Sequence, residues 1–382
     1  HMREEPAMNR YGRVISLALA GAFLSSAAWA GPNIVSGPGA NAECFKPWSD
    51  KTKFFQWAKK PGPYKIALVN GFVGNIWRIQ MVKTAKAFAE VPGIKENIKE
   101  FKVVSTGTDV AAQLGAMEDF INQGYDAIVT IAVAPDGFDR IIRLADKNNV
   151  VVVPFDNILD TDKVMMVNED QKEMGRMSAH WLIDQTGKTS GDILEVRGLP
   201  GNSVDRDRHI GFHEVLDAAP NKFNVTEVVG NWDPGTSQKV TADALAVHNH
   251  FDGVFTQGGS DGTVRAMMDA KHPFVPVAGE GENRFRIQIA DHSNDGLKGM
   301  SYGQSPALVA IAMKAAISAL QGNVMPQLIS IPIPVADYKT LKAGENYFPD
   351  LKEDFFAPNQ FLPCGVTFTA PQIMAQSEKN SQ

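Results

Sequence analysis

The sequence predicts an α/β chain folded as two Rossmann-like, doubly wound parallel-sheet lobes joined by a three-stranded hinge. Three observations carry that expectation. At 382 residues the chain exceeds one typical core of ~100–200 residues. Apolar, β-branched runs alternate along it with segments of helical spacing. The runs are continuous rather than alternating, which implies burial on both faces, hence parallel strands under helices with right-handed crossovers. That grammar stops and restarts near residue 168.

The elements follow in order. Arg10 and Arg13 precede the apolar run "VISLALAGAFL" (14–24), and "AWA" (28–30) offers small residues for cleavage after Ala30. The run falls short of the ~20 residues that span a bilayer. Residues 1–30 therefore read as a secretory signal peptide, and export to the periplasm is expected. No later stretch is long and apolar enough to span a membrane. Residues 31–63 form a Pro/Gly-rich extension. The chain has two cysteines, Cys44 and Cys364. In an oxidising compartment a disulfide tying this extension to the carboxy-terminal tail is preferred over two buried thiols.

The first lobe is expected over 64–168 plus 305–333, with strands at 65–70, 101–106, 126–132 and 151–156 and helices at 76–90, 109–123 and 137–148. The second is expected over 169–304 plus 334–350. A strand at 163–168 leads in; helices at 170–186, 204–218, 236–249 and 261–271 alternate with strands at 192–198, 222–230 and 252–257; strands at 274–279 and 297–303 close the series. A last helix, 306–321, has no sheet beside it in sequence and is expected to return to the first lobe before a run at 328–335. Hinge crossings are placed near 157–168, 303–305 and 333–336. Weak periodicity and several prolines make 336–382 an irregular, surface-packed segment, with 351–382 the tail proper.

Ligands of open parallel sheets bind beyond the carboxyl ends of the strands. Those ends carry Asn75, Trp77 and Arg78; Asp156 and Asn157; Arg206 at a helix start; Trp232 and Asp233; Gln257 and Ser260; Glu280 and Asn283; and Gln304. Two tryptophans among planar polar groups suit a polyhydroxylated ligand. Carboxylates accept from hydroxyls, amides donate and accept, and arginine donates a fork. The C–H faces of a sugar ring lie flat on aromatic rings. Trp77 from one lobe and Trp232 from the other are expected to sandwich such a ring.

At these residues the chain resembles the periplasmic sugar-binding proteins of ABC importers, of the type that binds ribose and galactofuranose (periplasmic binding protein-like I), over about residues 64–335. "IALVNGFVGNIWRIQ" resembles that family's first strand and Asn-x-aromatic turn, "VVVPFDN" its hydroxyl-binding Asp segment, "GLPGNSVDRDRHIGF" its Arg-x-Arg helix, "GNWDPGTSQ" its aromatic-Asp turn and "SYGQSP" its final Gln. The resemblance implies Asp156, Arg206, Trp232 and Gln304 as ligand groups. The first arginine, Arg206, is the one carried over. The chain departs from ribose binders in having Ala134 and Gly258 where they carry Asn, Gly281 at the usual Asp position, and Arg78 in place of an aromatic. Glu280 or Asn283 must then serve. These departures point to a different pocket shape with one more cation.

The expected function is capture of a small sugar or sugar alcohol and delivery to an ABC permease, by a monomer with no cofactor and no metal. A sugar-presenting chemoreceptor partner is the alternative within the same fold. A net charge of -6 with mixed signs excludes a basic nucleic-acid surface. The enzyme alternative is a serine hydrolase using Ser260 in "GGSDG", which fits G-x-S-x-G. It lacks an HGGG-type loop, and His272 and His292 are the histidines downstream. "TGKTSG" (186–191) fails as a phosphate loop because Leu182 stands where a Gly is required. "HIGFH" (209–213) sets two imidazoles on one helix face without a third ligand, and is read as surface or interface histidines.

Overall fold

A computed structural model describes residues 31–351 and 354–382. The signal-peptide reading of residues 1–30 lies outside the described residues. A short pair, β1 (Asn33–Val35) and β2 (Phe54–Gln56), comes first. The first repeating unit is β3 (Tyr64–Asn70), α1 (Ile76–Ala89), β4 (Ile98–Ser105), α2 (Val110–Asn122), β5 (Ala127–Thr130), α3 (Asp139–Lys147) and β6 (Val151–Pro154). After β7 (Met166–Glu169) come α4 (Gln171–Thr186), β8 (Ser190–Arg197), α5 (Ser203–Leu216), β9 (Lys222–Val229), α6 (Pro234–Val247) and β10 (Gly253–Thr256). Then follow α7 (Ser260–Asp269), β11 (Val277–Glu280), α8 (Asn283–His292) and β12 (Gly299–Tyr302). The chain ends with α9 (Leu308–Leu320), β13 (Met325–Pro326), β14 (Leu328–Ile331), β15 (Val335–Asp337) and α10 (Ala370–Met374).

Two parallel sheets form, as the continuous apolar runs require. The first has the order β4-β3-β5-β6. A parallel bridge from Phe155 to Val167 continues it into the β7–β14 pair. The second has the order β15-β12-β11-β10-β8-β9, parallel except for the edge strand β15. Helices α1, α2, α4, α5 and α6 each start on an Asn or Asp whose side chain accepts a backbone N–H: Asn75, Asp109, Asp170, Asn202 and Asp233. These caps fix the turns after the strands, where the site is built. Helix α9 returns to the first lobe and packs in its core against β5 and β6.

Five features differ from the sequence reading. The first crossing between lobes falls after Glu169 rather than within 157–168, because β7 stays paired with β14 and α4 packs on α5. The strand expected at 163–168 is shifted to 166–169. The run 328–335 is split: Pro332 and Pro334 lack the N–H a ladder needs, so β14 ends at Ile331 and β15 starts at Val335 on the other sheet. Helix α8 was not read from the charged stretch "NRFRIQIADH". The tail is not surface-packed: Phe355, Phe356, Val366, Phe368 and Ile373 are buried in the first-lobe core. Residues that show no periodicity can still supply core volume when other elements set their position.

Cys44 and Cys364 form a disulfide with Cα atoms 4.8 Å apart, closing a loop across 320 positions and pinning this tail to the extension. Replacing both by Ser is expected to cost about 2–4 kcal/mol of stability. Urea unfolding of C44S/C364S measures it. A midpoint equal to that of the parent would show that the tail is held by packing alone.

Candidate ligand-binding site

The carboxyl ends of both sheets face one cleft, with about 500 Å³ of unfilled space, its mouth included. The first lobe contributes the β3–α1 turn and the turn after β6. Asn75 spends its Oδ1 on capping α1 (from Arg78 N, 2.8 Å), which leaves its amide NH2 at the cavity. Trp77, 6% exposed, packs in the core and also lines the cavity, and its Nε1 donates to Gln304 O at 3.0 Å. Arg78 is buried, donates to Asn70 Oδ1 at 2.9 Å and lies 4.4 Å over the Phe72 ring. Burial lowers its pKa to about 10, partly offset by Asp156, so it stays charged at neutral pH. Asn157, with its NH2 turned toward Asp156, donates to Asp156 Oδ2 at 2.5 Å and accepts from Arg78 Nη2 at 2.9 Å and from Asn202. Asp156 has φ 60° and an Oδ1 without a partner. Burial pushes its carboxyl up to about 7.

The second lobe contributes the other wall. Trp232 sits at φ 58° after Asn231 at φ 56°, two successive left-handed residues. Its Nε1 donates to Gln257 Oε1 at 3.3 Å. The indole lies over Gly198, where a Cβ would overlap it, and against Gly258, whose Cβ would come within 3.0 Å of Cδ1. Gly258 is thus the space that Trp232 needs. Glu280 lines the cavity and accepts from Arg208 Nη1 at 2.6 Å. Burial works against the charge on Arg208, but Glu280 holds its pKa up. Gln304 Oε1 accepts from Gln171 at 3.1 Å, and its Nε2 has no partner.

Three expected site residues do not reach the cavity. Arg206 is 41% exposed and forks onto Asp160 at 2.7 and 3.0 Å. With α5 capped at Asn202, Val204 and Arg208 share the cleft face one turn apart, and Arg206 lies two residues out of phase. The cleft arginine is therefore Arg208. Gln257 is buried behind the wall, donating to Asp205 and holding the Trp232 indole. Asn283 staples the tail, donating to Phe348 O and accepting from Phe348 N. Glu282, Asp354 and Phe356 line the cavity instead. Burial pushes the Asp354 carboxyl up to about 6 and that of Glu282 well above its ordinary range. Of these three, Asp354 and Phe356 come from the tail and carry no sequence signal.

The hydrolase reading of Ser260 fails. Its side chain is fully buried and its Oγ accepts from Glu280 N at 3.1 Å. His272 accepts from Phe251 N and donates to Pro273 O, and His292 contacts Asp295. Gly187 of the rejected phosphate loop is the left-handed cap of α4.

Comparison with known proteins agrees with the fold. The model of the periplasmic binding protein domain matches residues 66–323. The ribose import binding protein of Bacillus subtilis is 25% identical over 294 residues, 74% of this chain and 92% of that protein. The galactofuranose-binding protein of Escherichia coli is 26% identical over 178 residues, 46% of this chain and 54% of that protein. Among solved structures, the periplasmic component of the arabinose ABC transporter from Shewanella sp. ANA-3, bound to α- and β-L-arabinofuranose, superposes with a TM-score of 0.64 at 25% identity. That match covers 72% of this chain and 92% of the other.

Two outcomes are expected. Arg208→Ala leaves Glu280 buried without its counter-charge and costs ~3–5 kcal/mol, whereas Arg206→Ala breaks an exposed pair worth about 1 kcal/mol or less. Equal urea midpoints for the two variants would reverse the assignment. The second concerns pH. Asp156 titrates near about 7 when folded against an ordinary 3.8. Between those values the folded state binds a proton that the unfolded state has lost, so this group's contribution to stability falls as pH rises through the window. Asp156→Asn is expected to flatten the fall in melting temperature from about pH 4 to 7; an unchanged slope would count against it.

Proposed function

The chain belongs to the periplasmic binding protein family, as a solute-binding protein of ABC transporters rather than an enzyme, and we propose that it captures a small sugar or sugar alcohol between its lobes and delivers it to an importer permease. The observation that carries this reading is a cavity walled by an indole from each lobe, Trp77 and Trp232, with charged planar groups beside each. The named ligands of its relatives (ribose, galactofuranose and L-arabinofuranose) are ligands of that kind. Arg78 and Asp156 from one lobe, and Arg208 and Glu280 from the other, would take the hydroxyls. The two indoles would take the C–H faces of the ring. Contacts from both lobes favour the closed form by differential affinity, and the permease reads that shape. We take the working form to be an exported monomer in the periplasm.

A thermal-shift screen of pentoses, hexoses, polyols and sugar acids tests the reading, since a bound ligand raises the melting temperature by mass action. At least one sugar or polyol is expected to score. Trp232→Ala is expected to weaken that ligand roughly tenfold or more, from a loss of ~1.5 kcal/mol of ring contact. Trp77→Phe, which keeps the core filled, is expected to weaken it less. Wild-type affinity in both variants would remove the indoles from the site.

A further inference from the structure

Away from the cleft, α5 carries His209 and His213 one turn apart, the "HIGFH" pair that lacked a third ligand in sequence. The fold supplies one. Glu195 stands in β8 beneath the helix, fully buried. His209 Nδ1 is 2.6 Å from Glu195 Oε1 and His213 Nε2 is 2.7 Å from Glu195 Oε2. One ligand atom from each of the three residues lies within 4.8 Å of the other two. We propose that Glu195, His209 and His213 form a divalent-metal site of the zinc class, cross-linking α5 to β8 within the second lobe.

The donor set points to the metal. Two imidazole nitrogens and one carboxylate oxygen are the protein ligands of an open zinc centre. Calcium and magnesium prefer all-oxygen shells. The spacing i, i+4 puts both rings on one helix face. Asp217 Oδ2, 2.9 Å from His213 Nδ1, accepts that nitrogen's N–H, and Nε2, whose N–H donates to Glu195, is the nitrogen on which a metal would replace the proton. Asp217 is the outer carboxylate that metal-bound histidines commonly have.

The fit needs a modest adjustment. Zinc bonds of ~2.0–2.1 Å in tetrahedral geometry set neighbouring ligand atoms about 3.3 Å apart. The contacts now at 2.6 and 2.7 Å would therefore open by roughly 0.6 Å. Both rings are partly exposed, so they can swing outward, and water reaches the fourth position from their side. Such a clamp would fix the helix that carries Arg208 into the cleft.

Chelator-stripped full chain titrated with ZnCl2 by calorimetry is expected to take up one zinc. H209Q/H213Q should lose it and D217N weaken it about 10–100-fold. H248Q/H250Q, which removes the other closely spaced pair of imidazoles, should retain it. Co2+ added to the wild type should give the visible bands of a four- or five-coordinate site, a readout that stands even where the double variant fails to fold. The absence of stoichiometric zinc, undiminished uptake by H209Q/H213Q, or the spectrum of hydrated Co2+ would overturn the site and leave a hydrogen-bonded His–Glu–His cluster.

Discussion

An arginine side chain that is 1% exposed must bring its own solvation, and Arg208 does so from four directions. Glu280 accepts at 2.6 Å, Gln257 O at 2.7 Å, Gln171 Oε1 at 2.9 Å and Gln304 Oε1 at 3.4 Å. Removing one partner of such a pair leaves an uncompensated buried charge, so the set stands or falls together. Its members come from the ends of β10 and β11 and from two crossings between the lobes, at Gln171 and Gln304. The floor of the cleft and the hinge are therefore one hydrogen-bonded body. Gln257 extends that body to Trp232, and its amide reaches Asp205, which pairs with Arg197.

The cavity is unbalanced in a way that describes its occupant. Four lining carboxyls (Asp156, Glu280, Glu282 and Asp354) face two guanidiniums, Arg78 and Arg208. Burial raises the pKa of each of the four. Asp156 Oδ1 and Asp354 Oδ2 lack donors, while Gln304 Nε2 lacks an acceptor. Buried polar atoms are rarely left so. A ligand that meets all three must both donate and accept, which is what a set of hydroxyls does and a fully deprotonated anion such as sulfate does not.

Much of this was legible in sequence because strand ends are legible. Continuous apolar runs fix the sheets, and Asn75, Trp77, Arg78, Asp156, Asn157, Trp232, Glu280 and Gln304 all follow such runs and line the cavity. The choice of Arg206 over Arg208 was an error of helical phase. Val204, Arg208, Phe212 and Leu216 form one buried stripe at a spacing of four, and a cation on an apolar stripe was the available signal. Gln257 and Asn283 are polar and sit at strand ends, yet their amides are consumed by Asp205, Trp232 and Phe348. Sequence does not say which of two adjacent polar groups faces out. Asp354 and Phe356 were invisible because the disulfide and packing, not local periodicity, bring the tail to the cleft.

Apart from the three crossings and the tail, which Gln80 holds to the first lobe and Gly281 and Asn283 hold to the second, direct contacts between the lobes are few. Arg206 forks onto Asp160 across the rim, Trp77 Nε1 donates to Gln304 O, and Asn157 meets Asn202. The first is an exposed pair, of a kind worth ~0–1 kcal/mol, and a single neutral hydrogen bond adds about 1 kcal/mol. Moving a two-state equilibrium from mostly open to mostly closed takes a differential affinity of about 5.5 kcal/mol. Hydrogen bonds to charged groups contribute ~1.5–3 kcal/mol each, so two to four of them suffice. The cleft offers ionisable groups divided between the lobes: Arg78 and Asp156 on one side, Arg208 and Glu280 on the other. Only a ligand that touches both sets at once gains the difference, which makes closure a report of occupancy rather than of the lobes' own attraction.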